Sequence, residues 1–354
     1  MVARGGMGWF DALLLRAAIS KVGRPVASRA ITTISTTSTL ANLNKQTAGV
    51  RRSLAHAFLN LEQLDPNLYR SYELVRGRKS MEAVYGGQVI GHSLSAASAT
   101  VSPEFIPHSL HSYFIKSGTI MVPILYQIDR LRDGRSFCTR FVKATQNGDA
   151  IFTAQVLLST FHALNVICSL KQTNFQKYEQ LLVLKNNISF HKRESDSIKH
   201  EFPIPTVVGP ENLKDYHTLM AEATSEENSD IQPIHRAIIQ HKMAEFPATF
   251  TKIFEVRPID AERFLFKKLD SSLNSRFYFW LRAKEDIGED LGLQRCLAAY
   301  ISDSMMMEMS LWPHLGRQFL PSMVFSLDHS IWFHKPEFRM DRWILFEIES
   351  PCAG

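Results

Sequence analysis

The sequence predicts an α+β fold assembled twice from one unit, a long apolar helix followed by antiparallel strands. Three observations carry this. The stretch Ser326-Leu327-Asp328-His329-Ser330-Ile331-Trp332-Phe333-His334 is crowded with β-branched and aromatic residues and free of Gly and Pro, the composition of a strand. Its wording recurs: His111-Ser112-Tyr113-Phe114 matches His329-Ser330-Ile331-Trp332 at His-Ser, with an aromatic three residues after each His. Finally, Arg132-Asp133-Gly134-Arg135 and Gln146-Asn147-Gly148-Asp149 are hairpin turns, which make the neighbouring strands antiparallel.

In chain order, residues 1–52 form a basic leader. Eight Lys and Arg against Asp11 alone give it a local charge of +7, and Ser and Thr crowd Ser28 to Thr39. This is the composition of an organelle transit peptide, with a disordered tail as the alternative. Residues 53–160 hold the first unit: a helix over Gln88 to Val101 after Gly86-Gly87, the His111 strand, a strand over Pro123 to Asp129, and a hairpin of Phe137 to Thr145 with Ala150 to Leu158. Residues 161–248 match neither unit. The part from 161 to 188 is an insertion, and 189–230, with Pro203, Pro205, Pro210 and many charges, reads as a linker. The second unit, 249–354, has a helix over Leu293 to Met307, the Ser326 strand, and a strand over Arg342 to Ile348. Counterparts of the final hairpin do not follow in this sequence. That lack should uncover one helix face and leave an unpaired strand edge.

The 45% hydrophobic and 21% charged content belongs to a globular protein, and no apolar run is long enough to cross a bilayer as a helix. The net charge of +5 resides in the leader, which leaves −2 for the remainder. Such a body has no phosphate-tracking stripe, so nucleic acid is not an expected partner. Four scattered cysteines give neither a disulfide framework nor zinc spacing and suit a reducing compartment.

Asp303 lies in a helix that is apolar nearly all round, and a buried Asp is rarely left without a partner. Either it bonds backbone amides at a helix end, or it faces Ser326 and acts on a water. Strand alternation places Ser326, Asp328, Ser330, Trp332 and His334 on one face, opposite Leu327, His329, Ile331 and Phe333. The polar face is either a solvated surface or the lining of a site. Ser93 in Gly91-His92-Ser93-Leu94-Ser95 falls short of a nucleophile elbow, because no strand precedes it. His314, His329 and His334 lack metal-ligand spacing and read as structural. Gly86-Gly87 is not a phosphate loop, although amides at that helix entry can hold an oxygen.

Five segments carry a resemblance: Phe58-Leu59-Asn60-Leu61-Glu62, Tyr85-Gly86-Gly87-Gln88-Val89-Ile90-Gly91, His108-Ser109-Leu110-His111-Ser112-Tyr113-Phe114, Tyr300-Ile301-Ser302-Asp303, and Ser326 to His334. Together they resemble the type II acyl-CoA thioesterases, nearest to the eukaryotic peroxisomal branch, over Leu54 to Gly354 apart from 161–188. The resemblance implies a double hotdog, two long helices each wrapped by an antiparallel sheet, with the second hotdog here short of its last two strands. It implies hydrolysis of fatty acyl-CoA to fatty acid and CoA by direct attack of water, with no cofactor and no metal. Asp303 and Ser326 match two of the family's water-holding groups; the third, a Gln, belongs to the strands not found here. The alternative is an acyl-CoA-binding pseudoenzyme or a truncated, inactive product. The resemblance points to the peroxisomal matrix and the basic leader to the mitochondrial matrix. A homo-oligomer is left open.

Overall fold

The computed structural model describes residues 59–159, 205–225, 228–268, 276–321, 324–335 and 337–350. The leader and the 161–188 insertion lie outside the described residues. Strands β1 (Glu62–Asp65) and β2 (Leu68–Ser71) precede helix α1 (Gly86–Ser98). After it come β3 (Ile106–Phe114), β4 (Ile124–Asp133), β5 (Phe137–Gln146) and β6 (Asp149–Ser159). Next are α2 (Tyr216–Thr224), α3 (Pro233–Glu245), α4 (Ala248–Ile253), β7 (Phe254–Pro258) and α5 (Ala261–Phe264). The series closes with β8 (Phe277–Ala283), α6 (Leu291–Leu315), β9 (Asp328–Trp332) and β10 (Ile344–Ile348).

Seven strands form one antiparallel sheet in the order β1-β2-β4-β5-β6-β3-β9, and β10-β8-β7 form a second. α1 lies against β3 to β6 with nearly every side chain from Gly87 to Ala97 buried, as expected of a helix wrapped by its own sheet. The β5–β6 turn has Asn147 at φ 53° and Gly148 at φ 87°, the paired left-handed residues that Asn-Gly supplies to a tight hairpin.

The internal repeat is a pseudo-dyad. β3 pairs antiparallel with β9, and the copies cross at the shared His-Ser: His111 opposes Ser330 and Ser112 opposes His329. Only a two-fold axis between the pairs lets each His meet the other copy's Ser. A second marker sits on the helices. In α1, Gln88 Oε1 accepts from the Val75 amide (2.8 Å) and Nε2 donates to Glu73 O (2.6 Å). In α6, Gln294 Oε1 accepts from the Met340 amide (2.6 Å) and Nε2 donates to Gly288 O (2.9 Å). Each glutamine accepts from one backbone amide and donates to one backbone carbonyl, Gln88 within the segment before α1 and Gln294 across two segments, before α6 and before β10. This is the double hotdog.

The sheets also bear on the expected shortfall. In the first unit β5 and β6 bridge β4 to β3, whereas β10 pairs with β8 and β9 pairs with β3. No described strand joins β10 to β9. Beside that opening Phe325, Leu327 and Trp332 are exposed. On α6 Met305 is buried, while Met306 is exposed.

One sequence reading is corrected. The 189–230 stretch, expected to be a linker, carries α2, capped by Asp215, whose Oδ1 accepts from the His217 (3.0 Å) and Thr218 (3.2 Å) amides. Tyr216, Leu219, Met220 and Ala223 then bury one face, and α3 follows with Ile238 and Ile239 in the core. Helical spacing of four apolar residues outweighs the prolines upstream.

Arg140 on β5 is 1% exposed. It donates to Thr100 Oγ1 (2.7 Å), Thr100 O (3.2 Å), Arg132 O (3.0 Å) and Thr139 O (3.0 Å), and pairs with Asp133. Arg140→Met keeps the stem but orphans the acceptors on the buried Thr100 and Thr139, so a loss of about 3 kcal/mol is expected in chemical denaturation. A loss below about 1 kcal/mol would mean that water reaches them.

Candidate active site

Helix α6 begins at Asp290, whose Oδ1 accepts from the Gly292 and Leu293 amides, and runs 25 residues past α1. α1 and α6 approach closely because glycines face the crossing. A Cβ on Gly87 would overlap the Tyr300 carbonyl oxygen and come within 2.6 Å of the Tyr85 ring, and one on Gly91 would lie 3.1 Å from Cys296 O. Tyr85 OH donates to Tyr300 O (2.8 Å), pinning the start of α1 to the middle of α6.

That contact brings the amino end of α1 to Asp303. The carboxylate is 8% exposed; Ser326 Oγ donates to Oδ1 (3.0 Å), and the Gly87 amide donates to the carboxylate. Oδ2 lies 2.7 Å from where a Gly86 Cβ would stand. Helix amides and the N-terminal dipole favour the anion, as does the Ser326 hydroxyl. Burial opposes them and prevails: the Asp303 carboxyl is held above the usual carboxylate range, while His329, the Ser326 hydrogen bond and the Gly87 amide pull it down. Beside it Tyr85 is pushed well above the usual phenol range, by burial first and by the Asp303 charge second.

The sequence reading placed Asp303 and Ser326 together, and the structure does so. For the rest of the strand the structure follows the solvated-surface alternative. β9 spans only Asp328 to Trp332, with Asp328, Ser330 and Trp332 turned to solvent. Ser326 reaches Asp303 because it precedes the strand and escapes its alternation. Ser330 Oγ meets His111 Nδ1 (2.9 Å) on the outer surface instead.

The inward face presents His329, which the sequence reading took as merely structural. It is 2% exposed, and its Nε2 lies 2.9 Å from Ser302 Oγ. Ser302 donates its own proton to Ala299 O (2.9 Å), so the imidazole must carry hydrogen on Nε2 and donate. Burial first lowers the His329 pKa, and the Asp303 and Asp328 charges raise it. One signal in the sequence could have found it: counting back by twos from Phe333 and Ile331 puts a histidine on the buried face. Ser93 is buried within α1, away from any strand-to-helix turn. Among the described residues no group of three or more His, Cys, Asp or Glu is placed to hold a metal ion.

This arrangement can polarise a small nucleophile: one carboxylate raised by burial, one hydroxyl, and helix amides at a crossing of two apolar helices. Comparison with known proteins gives the chemistry a family. The family model described as "Acyl-CoA thioesterase N-terminal domain" matches residues 75–159, and that described as "Acyl-CoA thioesterase" matches 253–354. The chain is similar to acyl-coenzyme A thioesterase 8 of Rattus norvegicus, 34% identical across 86% of this chain and 81% of that protein. It is also similar to peroxisomal acyl-coenzyme A thioester hydrolase 1 of Saccharomyces cerevisiae, 25% identical over 83% and 84% of the two chains. Among solved structures it resembles the acyl-CoA thioesterase II TesB2 of Mycobacterium marinum, with TM-score 0.55 and 26% identity over 85% of each chain. With both units matched and a third of its residues shared with a thioesterase over most of its length, the chain belongs to the acyl-CoA thioesterase family.

Proposed function

We propose that Asp303 and Ser326 hold the water that attacks the thioester carbonyl of a fatty acyl-CoA. The protein is an acyl-CoA thioester hydrolase: acyl-CoA and water give free fatty acid and CoA. In this reading Asp303 accepts a hydrogen bond from the water and draws off its proton as the C–O bond forms. Ser326 donates to Asp303 and offers its lone pairs to the same water. The C–S bond then breaks, and the CoA sulfur leaves with a proton. No acyl-enzyme forms. The observation that supports this is the Ser326–Asp303 hydrogen bond at the amino end of α1, made between residues 23 apart in sequence.

The test is Ser326→Ala. Loss of one group that holds the water should lower kcat about 10- to 100-fold at little change in KM, measured as thiol release across an acyl-CoA length series. Unchanged kcat would remove Ser326 from the mechanism. Acyl-CoA binding without thiol release by the unmodified protein would favour the pseudoenzyme instead.

Two further readings belong to this proposal. The units divide at 53–160 and 249–354, in keeping with the two family matches. The compartment is the peroxisome, since the yeast relative carries that address in its name, whereas the mitochondrial alternative rests on the leader alone. Fractionation of cells expressing the protein should place it with peroxisomal markers; cofractionation with mitochondria would reverse the assignment. No described helix is long and apolar enough to cross a membrane.

A further inference from the structure

We propose that His329 is a positioning residue for hydrolysis: it sets the register of the Ser326 segment against α6 and holds Asp303 ionised. The inference rests on the reading of Asp303 and Ser326 given above. Two hydrogen bonds cross between the same short segments, Ser326 to Asp303 (3.0 Å) and His329 to Ser302 (2.9 Å). They join adjacent residues of α6 to residues three apart before and within β9. A third bond anchors the brace from the other unit, where Ser112 Oγ on β3 donates to His329 O (2.8 Å). Without the His329 side chain the segment that carries Ser326 is still tied to β3, where the Phe114 amide donates to Leu327 O (2.9 Å), but its own bond to Asp303 is then the hydrogen bond left to place it against α6.

The charge argument comes from the same geometry. Nε2 is committed to Ser302, while Nδ1 is buried and has no hydrogen-bond partner. Burial disfavours the imidazolium and the Asp303 and Asp328 charges oppose that, so a proton arriving at the pair in acid has Nδ1 as a second place to go besides the Asp303 carboxyl. The charged and titratable groups around the pair are Asp303 on α6, Asp328 on β9, Tyr85 at the start of α1 and Tyr300 on α6, with Glu308 acting on Tyr85. No described Lys or Arg is among the groups that act on Asp303 or His329, so the imidazolium is the cation that opposes protonation of Asp303.

The experiment compares His329→Leu, which removes brace and charge, with His329→Gln, which keeps an amide donor for Ser302 but cannot ionise. His329→Leu should lower kcat about tenfold or more at all pH, with KM little changed. In a Ser326→Ala background it should cost about twofold or less, because both changes undo one arrangement. His329→Gln should recover kcat to within about threefold at alkaline pH, while the acid limb of its kcat/KM profile moves to higher pH as Asp303 loses the opposing cation. Fully additive effects of His329→Leu and Ser326→Ala would overturn the brace, and an unmoved acid limb in His329→Gln would overturn the charge role. Should His329→Leu fail to fold, the pH profile of His329→Gln decides alone. If Asp303→Asn retains turnover, the underlying mechanism fails instead, a result separate from either outcome here.

Discussion

Asp303→Asn is expected to lower kcat about 100-fold or more while the protein keeps its fold. The amide preserves shape and can still meet Ser326, but it cannot take a proton from water. Stability should move in the opposite direction. The Asp303 carboxyl is held above the usual carboxylate range by burial, so its ionisation is a cost to the folded state at neutral pH. A group whose folded pKa is raised adds stability at low pH and loses it as pH rises through that folded value. The Asn variant should thus melt at an equal or higher temperature than the parent near pH 8, with the advantage shrinking toward acid pH. A variant that keeps most of its turnover, or that unfolds, would contradict this account of Asp303.

Among the described glycines, Gly87→Ala should be the most damaging added methyl. The added Cβ would overlap the Tyr300 carbonyl oxygen and the Tyr85 ring, and the carbonyl belongs to a helix backbone that cannot swing aside. Overpacking in a core costs about 1–3 kcal/mol and sometimes more, and here the strain falls on the crossing that delivers the Gly87 amide to Asp303. Stability and kcat should therefore fall together. The same change at Gly148, where nothing lies within 4 Å, is strained only by its φ of 87° and should leave kcat intact. If the two variants behave alike, the close approach of α1 and α6 is not what the site depends on.

The repeat was legible in nine residues because strands that pair across a pseudo-dyad must present matching side chains to each other. His111-Ser112 and His329-Ser330 show that match directly. Asn147-Gly148 was equally legible, since only such residues accept two left-handed conformations in succession. Asp303 could be found from burial logic and Ser326 from the family pattern. What stayed hidden was the end of the strand. Alternation carried back to Ser326, although β9 begins at Asp328, groups Ser326 with the polar row, leaves open whether that row is surface or site, and sets His329 among the apolar residues of the wall. Where a strand starts depends on its partner, here β3, and a partner lies outside any local window. The glutamine pair Gln88 and Gln294 was invisible for a related reason: the helices differ in length, 13 residues against 25, so an ungapped comparison anchored on the strands never aligns them.

Direct attack by a water held at Asp303 leaves an isotopic record, which a single turnover in oxygen-18 water reads. With enzyme in excess over acyl-CoA, the fatty acid released should carry one heavy oxygen, and the peptide containing Asp303 should keep its natural mass. Unlabelled fatty acid together with a heavy oxygen in the Asp303 peptide would show that the carboxylate itself attacks the thioester, and would contradict the account.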